Sequence, residues 1–419
     1  MITQDLFQEP EVFITVCSVA GVAKFGKSVK NLDRRLVLNW NNFEDHQPGD
    51  MVALFDCDPE DKDRRCNNSN IIELARDSVN VECSRGYQRT TVRLERKNLS
   101  TKGETSLGWW IAYLRRSQTS SSWLVLKSNT LRIRPHWMRE LRNVIGDIPL
   151  TSLMIPGTHD AGAYMEYDHI RCENIYVRYY ICQEDSIYDQ LVHGIRYLDV
   201  RVAHYPSTPE KFWVNHDKYR IRPLITLLED VKRFVEETKE IIFLDFHGFP
   251  IGFTSRLIHD ELFQFINKEI GKYLVPKTVP ASQLTPNMLW RTNKTIVITY
   301  AESSISSLND YLWPYLVHAW GNKRKIGDLE KYLADILVNF KQTSYFWSAM
   351  AEITPKPIDY VSKPRYGLRG FAEHVNIPLT YWFQRKNWYS NCMIVATDFY
   401  LGNNLIEMAV EVNRHKKLA

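Results

Sequence analysis

The chain has 419 residues, of which 44% are apolar, 24% charged and 12% aromatic, a composition that excludes a disordered, collagen-like or coiled-coil plan. Lys and Arg total 53 against 49 Asp and Glu, so the formal charge of +4 gives no argument for nucleic acid, and no Lys/Arg tract supplies one. No apolar run approaches the ~20 residues of a membrane span, and the length leaves room for two or three domains.

The stretch VFITVCSVAGVA (Val12–Ala23) has the length and small-residue ending of a signal-peptide core. Asp5, Glu9 and Glu11 precede it where a signal peptide wants positive charge, so a Val/Ile/Thr-rich β-strand is expected instead. The default compartment is then cytoplasmic, with an extracellular location as the alternative. Further short β-rich runs follow: Arg35–Trp40, Asp50–Asp56, Tyr87–Leu94 and Gly108–Leu114, separated by polar turn clusters. This spacing predicts a β-sandwich, with Trp40, Trp109 and Trp110 in its core or on a sheet face. Of the seven cysteines none forms a CxxC, which argues against a zinc ribbon or thioredoxin motif. Cys57/Cys66 and Cys172/Cys182 are close enough in sequence to bridge, and free thiols fit equally well. Sequons at Asn67, Asn98 and Asn293 would matter only in a secreted chain.

Residues 128–146 are basic and amphipathic, with Arg132, Arg134, Arg139 and Arg142, and the domain boundary is placed there. The expected division is a sandwich over 1–135 and a second domain over 136–419. In the second, apolar strands (Ser152–Pro156, Ile195–Val202, Ile241–Phe246, Thr295–Tyr300, Met393–Phe399) alternate with helices. One helix is explicit: Leu224, Leu227, Leu228, Val231, Phe234 and Val235 recur on one face. The pattern predicts an α/β fold, a distorted TIM-type (β/α) barrel preceded by a smaller all-β sandwich. An open doubly wound sheet is the alternative, and the lack of a Gly-rich phosphate loop counts against it.

Reactive groups of such barrels sit at the C-terminal ends of the strands. Those ends carry His159 and Asp160, Asp199 and Arg201, Asp245 and His247, and Asp398, while His216 follows the segment FWVN. His169, His193 and His204 fall elsewhere and read as surface or packing residues. Cleaving a phosphodiester beside a hydroxyl needs a base, an acid and a cation for the phosphorane. Two histidines titrating near pH 6.5 suit the first two jobs, and an arginine fork suits the third. Each histidine also wants a carboxylate to orient it. His159, His216, Asp160, Asp398 and Arg201 supply that count. The bland alternative for Asp199 and Arg201, two apart on one strand, is a structural ion pair.

MIPGTHDAGAY (Met154–Tyr164), then QLVHGIRYLDVRV, EIIFLDFHGF and NCMIVATDF, resembles the X domain of phosphatidylinositol-specific phospholipase C over residues 148–415. The chain looks most similar to metazoan proteins that carry the X domain alone, and its N-terminal region resembles the sandwich of some insect members. The resemblance implies His159 as general base paired with Asp398, His216 paired with Asp160, and Arg201 on the phosphate with Asp199 beside it. It also implies basic and aromatic contacts to an inositol ring, for which His247 and Arg291 are candidates. One departure is Asp217, where the family's second histidine is followed by Gly. Calcium-dependent relatives carry an Asp where Arg201 stands and a Glu near His247, so the resemblance implies a metal-independent enzyme with no metal ligand and no cofactor.

The expected function is a phosphoric diester hydrolase or lyase acting on phosphatidylinositol or a related phospholipid, docking transiently on a membrane surface. A catalytically weak scaffold or lipid-binding module is one alternative. The same chemistry on a GPI anchor, sphingolipid or glycerophosphodiester is another. Since every proposed catalytic residue lies beyond position 150, the second domain is expected to be catalytically complete.

Overall fold

The computed structural model describes residues 5–19, 34–61, 66, 68–75, 84–95, 98–117, 123–164, 177–340, 343–363 and 366–417. Seven antiparallel strands come first: β1 (Glu11–Val16), β2 (Arg35–Asn41), β3 (Met51–Phe55), β4 (Ile71–Leu74), β5 (Gly86–Arg93), β6 (Ser106–Arg116) and β7 (Trp123–Arg132). They form a three-stranded sheet, β1-β2-β5, and a four-stranded sheet, β4-β3-β6-β7. Val12, Ile14, Leu36, Leu38, Trp40, Val52, Leu54, Ile111 and Tyr113 fill a shared core. Trp40 is buried as expected, whereas Trp109 and Trp110 are half-buried. The signal-like stretch begins as the buried strand β1, and its residues 20–23 lie outside the described residues. Cys57 and Cys66 form a disulfide, while Cys182 is a buried free thiol. Cys172 and His169 lie outside the described residues.

The basic stretch expected at the boundary divides differently from its sequence pattern. Arg132 ends β7, and Arg134 reaches Glu407 of the C-terminal helix Leu405–Arg414 at 2.6 Å. Trp137 and Met138 are fully buried beneath it.

Beyond residue 150 the strands are β8 (Ile155–Thr158), β9 (Tyr197–His204), β10 (Phe212–His216), β11 (Tyr219–Pro223), β12 (Ile242–Gly248), β13 (Ile296–Tyr300), β14 (Leu312–Trp313), β15 (Val317–Trp320), β16 (Trp347–Met350) and β17 (Ile394–Thr397). Eight of them run parallel in the order β14-β13-β12-β9-β8-β17-β16-β15, a curled sheet left open between β14 and β15. This is the distorted barrel. β10 and β11 form an antiparallel hairpin that pairs with β9. Continuous burial on both faces explains the unbroken apolar runs of β12 (Ile242–Phe246) and β13.

The helix Leu224–Thr238 buries Leu224, Leu227, Leu228, Val231, Phe234 and Val235 completely, the six positions that its sequence period marks. Each such side chain contributes about 1.5–3 kcal/mol by leaving water.

Parallel register now sets the chemistry. Thr397 pairs with Thr158, so Asp398 and His159 emerge side by side one residue further on. Asp199 lies level with Asp245, and Arg201 with Gly248. Asp199 also lies one residue beyond the Thr158–Leu198 pair, so these groups gather at the end of the sheet where β8 and β17 finish.

Candidate active site

A cavity of about 710 Å³ opens there, lined by His159, Arg201, His216, His247, His318, Glu352 and Asp398, with Phe249, Tyr315, Trp320 and Tyr360 among its apolar walls. His159 Nδ1 donates to Asp398 Oδ1 at 2.8 Å, which fixes the tautomer and aims Nε2 away from the carboxylate. Arg201 Nη2 donates to that Nε2 at 2.9 Å and to Asp199 Oδ2 at 3.0 Å. Burial pushes the His159 pKa down, but the charges of Asp398 and Glu352 outweigh it and raise it to about 9. The Arg201 charge opposes that rise, and its contact with Nε2 is a hydrogen bond only when the ring is neutral.

His216 differs from its expected arrangement. Its Nδ1 donates to the Tyr180 carbonyl at 2.9 Å and stands 3.5 Å from Asp160 Oδ2. The pair with Asp160 is therefore a loose one, because a backbone acceptor occupies the nitrogen that the carboxylate would hold. Burial first, then the Arg201 and His159 charges, lowers the His216 pKa to about 4. The two imidazoles face one another edge to face, with centroids 6.3 Å apart. Asp217 takes φ 48°, the left-handed region that suits Gly, and Asp tolerates it better than most residues. The departure from Gly thus leaves the β10–β11 turn intact and His216 at the cavity.

Asp160 and Asp199 share Arg201, at 3.8 Å and 3.0 Å. Burial and the neighbouring Asp199 charge raise the Asp160 pKa, whereas Arg201 holds Asp199 well below the usual carboxylate range against the effect of burial. Asp199 therefore carries the negative charge of the pair, and it also accepts from the Asp160 backbone N–H at 3.1 Å.

His247 does reach the cavity, and its ring stacks on His318 with centroids 3.3 Å apart. Burial lowers the His247 pKa. His318 Nε2 stands 2.6 Å from Asp245 Oδ2, and the same carboxylate accepts from the hydroxyls of Tyr197 and Thr299. Asp245, His247 and His318 bring three ligating atoms within 4.8 Å of one another, a set suited to a cation that prefers imidazole. At the centre of the site stands the Arg201 guanidinium, which repels a hard cation.

Arg291 is a correction. It is exposed on the helix Pro286–Thr292, which precedes β13 and so lies toward the opposite end of the barrel from the cavity it was expected to line. His193 and His204 are buried packing residues, against Tyr400 and against Phe212 and Phe253.

Sequence reasoning missed His318, Gln183 and Glu352. Gln183 Nε2 donates to the His159 carbonyl at 2.9 Å and to the Thr397 carbonyl at 2.8 Å, bracing the backbone on which the base sits. Glu352 is 4% exposed, neither of its oxygens has a hydrogen-bond partner, and burial raises its pKa from 4.5 to about 7. The only hint in the sequence is a carboxylate two residues beyond the apolar run FWSAM. Between those pKa values the folded chain holds a proton that the unfolded chain has lost, so this group's contribution to stability falls as pH rises from about 4.5 to about 7. Glu352→Gln should accordingly gain on the wild type by up to about 3 kcal/mol between pH 4 and pH 8. Urea unfolding at the two pH values checks this, and an unchanging difference would count against the proton assignment.

The barrel is shared with solved enzymes. A variant of the phosphatidylinositol-specific phospholipase C from Staphylococcus aureus aligns over 68% of this chain and 97% of its own, with TM-score 0.51 and 14% identity. A second structure of that enzyme, concerned with its membrane binding, gives TM-score 0.52 over 98% of its length, also at 14% identity. The chain thus shares its barrel fold with these phosphatidylinositol-specific phospholipase C structures. Among curated proteins, it is 26% identical over 306 residues to PI-PLC X domain-containing protein 1 of Danio rerio, spanning 66% of this chain and 96% of the relative. It is 25% identical to PI-PLC X domain-containing protein 3 of Mus musculus over 302 residues, 66% of this chain and 92% of the relative. No family model matches. Over two thirds of its length the chain is a homologue of the PI-PLC X domain-containing proteins.

Proposed function

We propose that the chain is a phosphoric diester hydrolase that cleaves phosphatidylinositol, or a closely related phospholipid, without a metal ion. Its barrel, 136–419, would carry the chemistry beside the sandwich of 1–135. One observation supports this reading above the others: His159 is held between Asp398 and Arg201 at the mouth of a cavity that His216 also faces. His159 takes the proton of the inositol hydroxyl next to the phosphodiester, and that oxygen attacks phosphorus. Arg201 holds the phosphate oxygens as charge builds in the phosphorane. His216 returns a proton to the departing diacylglycerol oxygen, leaving a cyclic inositol phosphate that water then opens.

With His159 near 9 and His216 near 4, the pair carries one proton between those limits, and these shifts place it on His159, so the proposed roles require it to pass to His216 once substrate is bound. Tyr315 and Trp320, half-exposed at the cavity rim, suit transient docking on a bilayer surface. Among the described residues no helix is long and apolar enough to cross a membrane.

The test is release of cyclic inositol phosphate from phosphatidylinositol vesicles, with glycerophosphodiester, sphingolipid and GPI head groups as competitors. Activity should persist in EDTA, since this reading gives the cation's electrostatic role to Arg201. Activity that is lost to chelator and restored by Ca²⁺ would reject that part of the reading. A second reading, an X-domain fold kept as a lipid-binding module, draws on the 3.5 Å separation of His216 and Asp160. Vesicle binding without measurable turnover would favour it.

A further inference from the structure

Residues 180–185, between the turn Val177–Tyr179 and the helix Ile187–His193, have no regular secondary structure and are held by side-chain and backbone contacts. Three of those contacts run to the reacting pair. The Tyr180 carbonyl accepts from His216 Nδ1 at 2.9 Å, Cys182 Sγ lies 3.5 Å from the same nitrogen, and Gln183 braces the His159 carbonyl. Next along the chain are two buried acids, Glu184 and Asp185, which do not line the cavity. Their partner comes from the sandwich. Arg34 Nη1 donates to Glu184 Oε2 at 2.7 Å and to Asp185 Oδ1 at 3.0 Å. Arg369 donates to Glu184 from the barrel side, and the Tyr400 hydroxyl donates to Asp185 at 3.0 Å. Arg34 is 7% exposed and tied to its own sheet, its carbonyl accepting from the Leu94 N–H at 2.8 Å.

We infer that the sandwich is a working part of the active centre: Arg34 holds residues 180–185 against the barrel and thereby sets the positions of His159 and His216. Arg34 is a positioning residue in this account, which rests on the reading of those histidines as the reacting pair. It revises the expectation that residues 136–419 are catalytically complete. The physical reason is charge. Removing Arg34 leaves two adjacent buried carboxylates with one guanidinium fewer, and an uncompensated buried charge is strongly unfavourable. The segment relieves it by moving toward water, and Tyr180 and Gln183 move with it. A displacement of about 1 Å at reacting groups lowers turnover by ~10²-fold.

The test uses the full chain carrying Arg34→Ala or Arg34→Lys, with thermal melts, kcat and KM on a soluble short-chain phosphatidylinositol, and imidazole NMR titrations. The alanine variant should lose ~10–10²-fold in kcat with little change in KM. Its His159 and His216 resonances and midpoints should move while those of exposed His415 do not, and lysine should recover part of the loss. A folded Arg34→Ala chain with native kcat and unmoved imidazoles overturns the inference. If that variant does not fold, Arg34→Met combined with Glu184→Gln, which removes one charge of each sign, is read by the same two measurements. Should the wild type show no turnover on this substrate, the functional reading fails, and the imidazole titrations still decide whether Arg34 positions the pair.

Discussion

Replacing His159 with alanine should lower turnover by at least ~10²-fold, the usual worth of a positioned general base. The ring is held by Asp398 at 2.8 Å, and alanine leaves that carboxylate without its imidazole partner. Its role as base, as opposed to acid, can be separated by the leaving group. A substrate with an activated leaving group needs no proton at departure, so it should rescue His216→Ala and leave His159→Ala inactive. The opposite pattern would exchange the two roles. The electrostatics make this a real question, since burial and neighbouring charge favour the proton on His159 over His216. A folded His159→Ala chain with near-native turnover on both substrates would remove the residue from the mechanism.

Arg201→Lys should lower turnover by ~10²–10³-fold, as for loss of one preorganised donor at a developing charge. The guanidinium spans three neighbours, His159, Asp199 and Asp160, and a single ammonium cannot span the same fork. A purely structural ion pair with Asp199 would survive the exchange, since lysine keeps the charge. The melt and the turnover must come from the same sample. The expected result is a melting temperature near the native value with the activity loss. A fully active lysine variant would show that Arg201 is structural only.

What could be read from the residues depended on how many neighbouring positions agreed. The helix Leu224–Thr238 was legible because six apolar residues recur at one period with nothing contradicting them. β9, β12, β13 and β17 were legible as apolar runs, and the polar residues in or just after β9, β12 and β17 pointed to the mouth of the barrel. β14, β15 and β16 were not, being two to four residues long, with Pro314 between the first two. His318 and Glu352 enter the cavity from that stretch, so they were missed along with it. Arg291 was misplaced for another reason: a residue before a parallel strand lies at the end opposite the one where the strand delivers its chemistry. The residues also counted partners without distances. They supplied an Asp for each histidine, yet only the folded chain shows that His216 spends Nδ1 on the Tyr180 carbonyl.

The contact of Arg201 with His159 has a consequence for selectivity. When the His159 ring is neutral, the lone pair on Nε2 is capped by the guanidinium N–H. On the proposed reading, a water or a free polyol that enters alone would meet a base with nothing to offer, whereas an anionic diester would draw the guanidinium to its own oxygens and uncap Nε2 beside the hydroxyl to be deprotonated. One side chain would then work as an interlock, arming the base only when a phosphate is seated.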